Sequence, residues 1–275
     1  MKRTTLDILL CPTCQGELEL ETPTSSVTIE TGFLTCSACR QIYPIQRGIS
    51  HFITEEDLTG LNKPFTRMYD WFSWIYSAFS KIGLFFLGTT ESRARHEVLD
   101  RLEPNGGTVL EVSIGPGVNL PYLLTSPDVG EVYGLDISVG QLNRCNALIR
   151  RKGWSVELFL GNGEQLPFSD KAFDSVFHIG GINFFSDKKK AIDEMIRVAK
   201  PGTKIIICDE NESAAQWYEK FLPVFKRAFR GQREAVMAPV DLIPKTMLDI
   251  QLENIWNGFF YCLEFRKPYK TELVR

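Results

Sequence analysis

The sequence predicts an α/β protein, a parallel sheet wound with helices on both faces, preceded by a small cysteine-rich domain. Three observations carry this expectation. Beyond residue 91, short β-type runs alternate with helical stretches, the order that builds a parallel sheet. A glycine-rich turn follows directly on the first of those runs. Four of the seven cysteines fall within the first 39 residues, in two Cys-x-x-Cys pairs.

Size and composition agree with this. A chain of 275 residues has room for one α/β domain and an accessory piece. Hydrophobic residues at 44% and charged residues at 24% exclude wholesale disorder and a collagen-like chain. Lys+Arg 31 against Asp+Glu 34 gives a net charge of -3, which excludes coating nucleic acid by charge alone and leaves a local basic patch open. Seven cysteines are too few for a secreted disulfide scaffold. Met1-Lys2-Arg3-Thr4-Thr5 leads into a short apolar run that stops at Cys11, without the pattern of a signal peptide. The apolar stretch from Trp71 to Leu87 contains Ser73, Ser77, Ser80 and Lys81 and falls short of the ~20 apolar residues that span a bilayer. The expectation is a soluble protein without a transmembrane segment, in a reducing, cytoplasmic location.

The first element is the cysteine domain, expected over residues 1–53. Cys11-Pro12-Thr13-Cys14 and Cys36-Ser37-Ala38-Cys39 are tight knuckles, each aiming two thiolates at one point. Together they supply the tetrahedral four-sulfur shell that zinc prefers, with no position left for substrate, so the site reads as structural. The competing readings are a redox pair, which wants a single Cys-x-x-Cys in a βαβ unit, and a former zinc site that survives empty. Glu17 to Leu20, Val27 to Glu30 and Gln41 to Ile45 read as short strands. So small a domain buries too little apolar surface to fold alone, and zinc would add on the order of 10 kcal/mol. Cys145, Cys208 and Cys262 read as ordinary buried cysteines.

A polar, turn-prone linker is expected over 54–64, around Thr54-Glu55-Glu56-Asp57 and Asn62-Lys63-Pro64. The main domain then runs over 65–275. It opens with aromatics at helical and adjacent spacing from Phe65 to Phe79. This 65–90 segment has three readings: a helix packed on the core, a lid over an apolar pocket, or a membrane-surface helix.

The alternating region follows. Helix is expected over 92–102, strand over 108–112, helix from about 118, and strand over 131–136. Next come helix 139–151 and strands 155–160 and 173–178. Helix 188–199, strand 204–208 and helix 213–230 complete the alternation. Two late strands, near 249–253 and 259–266, have no helix between them and should pair antiparallel at the end of the sheet.

The chemistry gathers at strand ends. Gly115 and Gly117 lie in a turn that lets a ligand approach the backbone. Dinucleotide enzymes use a similar turn, so the turn alone decides little. Asp136 closes the next strand about 20 residues on, where a carboxylate can hold both ribose hydroxyls. Glu111 ends the strand before the turn.

With these residues in view, two resemblances can be named. Val109-Leu110-Glu111-Val112-Ser113-Ile114-Gly115-Pro116-Gly117, Tyr133 to Ser138, Gly161 to Phe168, Phe173 to Phe177 and Arg197 to Thr203 resemble the class I S-adenosylmethionine-dependent methyltransferases. Within these the chain is most similar to the ubiquinone/menaquinone biosynthesis branch, over roughly residues 65–268. Leu9 to Cys14 and Cys36 to Ile49 resemble the zinc-ribbon family that activates tRNA methyltransferases as a separate subunit, over about residues 6–53. The resemblance implies a Rossmann-like, seven-stranded mixed sheet with a small zinc-ribbon domain.

It also implies a cofactor, S-adenosyl-L-methionine, and a role for each matched residue. Glu111 would hold the methionine ammonium, and Ser113, Gly115 and Gly117 would lie under the methionine part, with Asn119 among the contacts. Asp136 would take the ribose hydroxyls and Ile137 would pack on the adenine. Asn162 and Gly163 would read the adenine edge. His178 and Ile179 would face the methionine part from the other side. Two positions depart from the pattern. Ser113 stands where the family usually has a glycine and fits if its φ is negative. Asn162 replaces a common aspartate, and its amide oxygen can still accept.

The function that follows is methyl transfer to a small or lipophilic acceptor. A general base is needed only for a protonated acceptor, and His178 is the candidate, with the alternative that it only walls the cofactor pocket. Two other readings stand beside this one. An RNA methyltransferase could use Lys226, Arg227, Arg230 and Arg233, at helical spacing, to meet phosphate, although the same residues suit a solvated helix face. A zinc-ribbon interaction protein could carry an inactive cofactor domain.

Overall fold

The structure is a computed structural model that describes residues 1–54, 90–221 and 236–269. The amino-terminal region forms four strands: β1 (Leu18–Glu21), β2 (Thr31–Cys36), β3 (Ile42–Gln46) and β4 (Ile49–His51), each antiparallel to the next. The remainder supplies β5 (Val109–Val112), β6 (Val132–Asp136), β7 (Val156–Leu160), β8 (Ser175–Ile179), β9 (Lys204–Glu210), β10 (Leu248–Ile255) and β11 (Phe260–Arg266). Its helices are α1 (Glu91–Leu99), α2 (Leu120–Leu123), α3 (Val139–Lys152), α4 (Lys188–Val198) and α5 (Glu212–Phe221).

The seven strands expected of the main domain are present, in the order β7-β6-β5-β8-β9-β11-β10. The first five run parallel, and β11 turns antiparallel between β9 and β10. The strand count is larger than the sequence suggested, because β4 pairs parallel with β7 and the amino-terminal strands extend one sheet to eleven. β7 is the exposed edge of the main sheet, and an edge strand offers a row of unpaired backbone groups. β4 satisfies them through Ser50 against Phe159 and His51 against Leu160.

Side chains reinforce that junction. Tyr43, Phe52, Phe159, Phe168 and Phe173 form a chain of ring contacts at 5.0, 6.4, 5.1 and 4.9 Å, leading from the cysteine knuckles into the main core. The Lys2 backbone N–H donates to Glu157 at 2.9 Å, and the Asn146 amide donates to the Arg47 carbonyl at 3.0 Å. Arg150 forms an ion pair with Glu30 across the same seam.

Alternate residues of the parallel strands feed two cores. On one face Leu110, Val112 and Ile207 meet Ile192, Met195 and Val198 of α4 and the amino-terminal core. On the other, Val109, Phe177 and Ile206 meet α1, α2 and α3. Local signals set the helix ends. Thr90, Ser138 and Asp187 cap α1, α3 and α4 by accepting from Arg93, Gln141 and Lys190, and Gly153 ends α3 at φ +67°.

One strand was misread. Residues 27–30 form no strand, only an isolated bridge from Thr28 to Lys2, and the strand is β2 instead. Ile29 is buried and its N–H donates to the Met1 carbonyl at 2.7 Å, which anchors the segment as a loop. The 54–64 linker beyond Thr54, the aromatic 65–90 segment before Thr90, and Lys226, Arg227, Arg230 and Arg233 lie outside the described residues. No helix among the described residues is long and apolar enough to cross a membrane.

Candidate functional site

The parallel strands end together at one edge of the sheet, and the expected cofactor residues collect there. Glu111 is buried to 1% on β5. Its Oε1 accepts from Asn119 Nδ2 at 2.6 Å, while Oε2 has no partner. Burial raises its pKa to about 8, against the smaller lowering effects of Asn119 and of the Arg95 charge. A cation brought to the unpartnered Oε2 would favour the charged form and draw this pKa back down.

The turn after β5 wraps past Glu111. Gly115 is half-buried at φ +56°, and a side chain there would meet no described atom within 4 Å, so the glycine serves the left-handed turn. Gly117 is required differently: at φ +80°, a Cβ would meet Cys145 Sγ at 2.8 Å. Ser113 corrects the expectation of a negative φ, because it stands at φ +64°. The turn demands the left-handed conformation there, and a serine adopts it at roughly 1–2 kcal/mol.

Asp136, at the end of β6, holds the turn in place. Its Oδ2 accepts from the Gly115 N–H at 2.7 Å and its Oδ1 from the Ser138 N–H at 2.9 Å. Ile137 beside it is half-buried. Asn162 Oδ1 accepts from the Glu164 N–H at 2.9 Å, so its amide oxygen already shapes its own loop and keeps one lone pair. Gly163 is glycine for packing: a Cβ would lie 2.7 Å from Phe185 and 3.0 Å from Val112.

His178 is fully buried on β8. Its Nδ1–H donates to the Val112 carbonyl at 3.0 Å, which leaves Nε2 as a bare acceptor without a partner. Burial lowers its pKa to about 4, so the ring is neutral, and it packs edge-on against Phe185 at 5.6 Å. Ile179 follows, half-buried.

Several residues of this edge escaped the sequence reading. Asp209, at the end of β9, is buried and accepts from the N–H groups of Gly181 and Asn183 at 3.2 Å and from Asn183 Nδ2 at 3.0 Å. It thereby fixes the loop after β8. Tyr261, its register neighbour on β11, has a buried hydroxyl without a partner. Arg95 and Trp256 are also buried polar side chains with unpartnered atoms. The available signals were an arginine at the buried spacing of α1 and the Trp256-Asn257-Gly258 turn between two strands.

In the amino-terminal region, the sulfurs of Cys11, Cys14, Cys36 and Cys39 all lie within 4.8 Å of one another. Cys11 and Cys39 are 3.7 Å apart, and Cys14 and Cys36 are 3.5 Å apart. A tetrahedron with zinc–sulfur bonds of about 2.3 Å has edges near 3.8 Å, so the four residues fit that ion. The Tyr43 hydroxyl lies 3.1 Å from Cys11 Sγ. The four cysteines share no residue with the group at the sheet edge.

Comparison with known proteins divides the chain in the same way. Residues 110–207 match the methyltransferase domain family, and residues 2–48 match the Trm112p-like protein family. A demethylmenaquinone methyltransferase of Renibacterium salmoninarum is 35% identical over 106 residues, 38% of this chain and 41% of that protein. The chain thus spans about two fifths of that relative's length. Among solved structures, the [4+2]-cyclase SpnF superposes with a TM-score of 0.57 at 17% identity, over 77% of this chain and 97% of that one. A complex between the Haloferax volcanii Trm112 methyltransferase activator and a second chain contains a match with a TM-score of 0.51 at 18% identity, over 73% and 98%. These two show the fold. The chain thus carries a match to the Trm112p-like family over residues 2–48 and to the methyltransferase domain family over residues 110–207, and strands of both regions belong to one sheet.

Proposed function

We propose that the protein is an S-adenosylmethionine-dependent methyltransferase acting on a small or lipophilic acceptor. The observation that carries this reading is the buried Glu111, with one oxygen unpartnered, at the start of a glycine turn that the Asp136 carboxylate binds through the Gly115 N–H. A buried acid, a glycine turn and a second acid at the ends of neighbouring strands support the reading, because such a cofactor needs a partner for its ammonium and one for its ribose. When bound, the sulfonium cofactor supplies a methyl group that is already activated.

The chain's own residues do the rest. Glu111 takes the ammonium as its carboxylate. Ser113, Gly115, Gly117 and Asn119 shape the floor under the methionine part, and Asp136 accepts from the ribose hydroxyls. Ile137 packs on the adenine, Asn162 and Gly163 line its edge, and Ile179 and His178 close the opposite wall. A hydroxyl acceptor would pass its proton to the bare Nε2 of His178. An acceptor that loses no proton in the transfer leaves His178 as wall. The lipophilic preference is supported by the demethylmenaquinone methyltransferase among the relatives.

The Trm112p-like domain, residues 1–53 in this division, holds one structural zinc through Cys11, Cys14, Cys36 and Cys39, and serves residues 65–275 within the same chain. The β4–β7 pairing supports that service in cis.

Calorimetry with S-adenosylhomocysteine tests cofactor binding, and Asp136→Ala should weaken it by roughly 1–3 kcal/mol, the range for a charged hydrogen bond. Labelled methyl transfer to lipid, small-molecule and RNA fractions then identifies the acceptor. Label in RNA alone overturns the lipophilic assignment. Cofactor binding without transfer to any fraction leaves an inactive binding domain, and no binding sinks the proposal.

A further inference from the structure

Tyr43 stands in β3 beside the cysteine knuckles, and its hydroxyl makes two contacts there: Cys11 Sγ at 3.1 Å and Thr13 Oγ1 at 3.2 Å. The residue is only 4% exposed, so these contacts satisfy the hydroxyl in place of bulk water. Its ring lies 5.0 Å from that of Phe52, which stacks on Phe159 of β7 at 6.4 Å. One side chain thus joins a cysteine of the cluster to the core shared with the main sheet.

The charge of a filled cluster shows why that contact matters. Zinc is held by deprotonated thiols, and four thiolates outweigh the doubly charged ion. Solvent reaches the sulfurs unequally: Cys14 and Cys39 are exposed, whereas Cys11 and Cys36 are buried. Water screens the exposed pair. A buried thiolate depends on hydrogen-bond donors from the protein, because charge left unpaired in the interior is costly. Each buried sulfur takes backbone N–H groups of its own knuckle: Thr13 and Cys14 for Cys11, Ala38 and Cys39 for Cys36. The Cys39 N–H stands 3.5 Å from Cys36 Sγ, a long contact. Cys11 has in addition the Tyr43 hydroxyl, brought from 32 residues along the chain.

The direction of this bond follows from the chemistry of the pair. A thiolate has no proton to give, so the Tyr43 O–H donates to Cys11 Sγ. The Tyr43 oxygen is then free to accept from the Thr13 hydroxyl, which lies between the two cysteines of the first knuckle. We propose that Tyr43 is a positioning residue of the metal site: its hydroxyl, oriented by Thr13, donates to the Cys11 thiolate and holds that ligand on the zinc. Tyr43 meets the ligand and not the ion. The bond spreads the buried negative charge and fixes the sulfur's direction, the work that outer partners do for metal ligands in general. The assignment rests on the structural-zinc reading above.

The test is metal binding to the full chain, with Zn²⁺ in competition with a chromogenic chelator and with Co²⁺ as a spectroscopic substitute. Tyr43→Phe keeps the ring and its packing and removes only the donor. It should bind zinc about tenfold more weakly, the lower end for loss of an outer partner. In the cobalt form its sulfur-to-metal charge-transfer band should move to lower energy, because a thiolate that loses a hydrogen bond gives up its electrons more readily. The visible bands of tetrahedral cobalt should keep their intensity. Thr13→Val should move the band the same way by less, and it takes the place of Tyr43→Phe if that variant fails to fold. Phe52→Leu disturbs the ring contacts without touching a sulfur, so it should lower the Tm and leave the band in place. A band that does not move in Tyr43→Phe overturns the hydrogen bond, and an unchanged zinc affinity overturns the hold. A shift in Phe52→Leu as large as in Tyr43→Phe would make the effect one of packing and overturn the assignment. If the wild type takes up neither zinc nor cobalt, the zinc reading itself falls.

Discussion

Glu111→Gln separates what this residue does for folding from what it does for the ligand. In the unfolded chain the carboxyl has an ordinary value near 4.5, and burial in the fold raises it to about 8. Between these values the folded state holds a proton that the unfolded state has released. The sign follows from linkage: stability is full below about 4.5 and is lost as pH rises towards 8. At about 1.4 kcal/mol per tenfold in proton concentration, burying this acid costs roughly 3 kcal/mol at pH 7.

Glutamine keeps the shape and can keep the bond from Asn119, but it has no proton to take up. Urea unfolding at a series of pH values should therefore show the variant gaining on the wild type by roughly 1.4 kcal/mol per pH unit between pH 5 and 8. In the same variant, S-adenosylhomocysteine should bind about 10–100-fold more weakly, because a neutral amide replaces the charged partner of the ammonium. A difference in stability that stays flat across that pH range would refute the buried, protonated acid. Unchanged affinity would refute its role at the ligand.

Zinc removal should be felt beyond the cysteine domain, because β4 is bonded to β7 and the Tyr43–Phe52–Phe159 contacts run from the amino-terminal strands into a core they share with the main sheet. Chelation should release about one metal per chain and lower the calorimetric Tm of the whole molecule in one transition; an unchanged methyltransferase transition would contradict the shared core. Ser113→Gly should stabilise the chain by up to about 1 kcal/mol in urea unfolding, since it relieves a left-handed serine. A loss of stability would show that the serine side chain holds the turn. His178 should stay neutral down to about pH 5 when its ring is followed by NMR, because burial holds its pKa at about 4; a midpoint near 6.5 would mean that the ring reaches solvent.

The two cysteine pairs, the glycine turn after β5, the acid at Asp136 and the winding of the main sheet could all be read from the sequence. Each is a local matter. Cys-x-x-Cys bends the chain within four residues, a strand or helix shows itself in its own periodicity, and Asp136 lies one strand from the turn it braces. The tertiary structure decided what depends on distant partners. Thr31 to Cys36 became a strand in place of 27–30 because Ile29 is held down by Met1 and buried. The φ of Ser113 is imposed by a turn pinned to another strand through Asp136. The four amino-terminal strands joined the main sheet because β7 offered an open edge more than 100 residues further along the chain. Arg95 and Trp256 lie about 160 residues apart in the chain, yet the guanidinium stands 6.0 Å from the indole ring. Their meeting follows from burial, and no pattern within either segment encodes it.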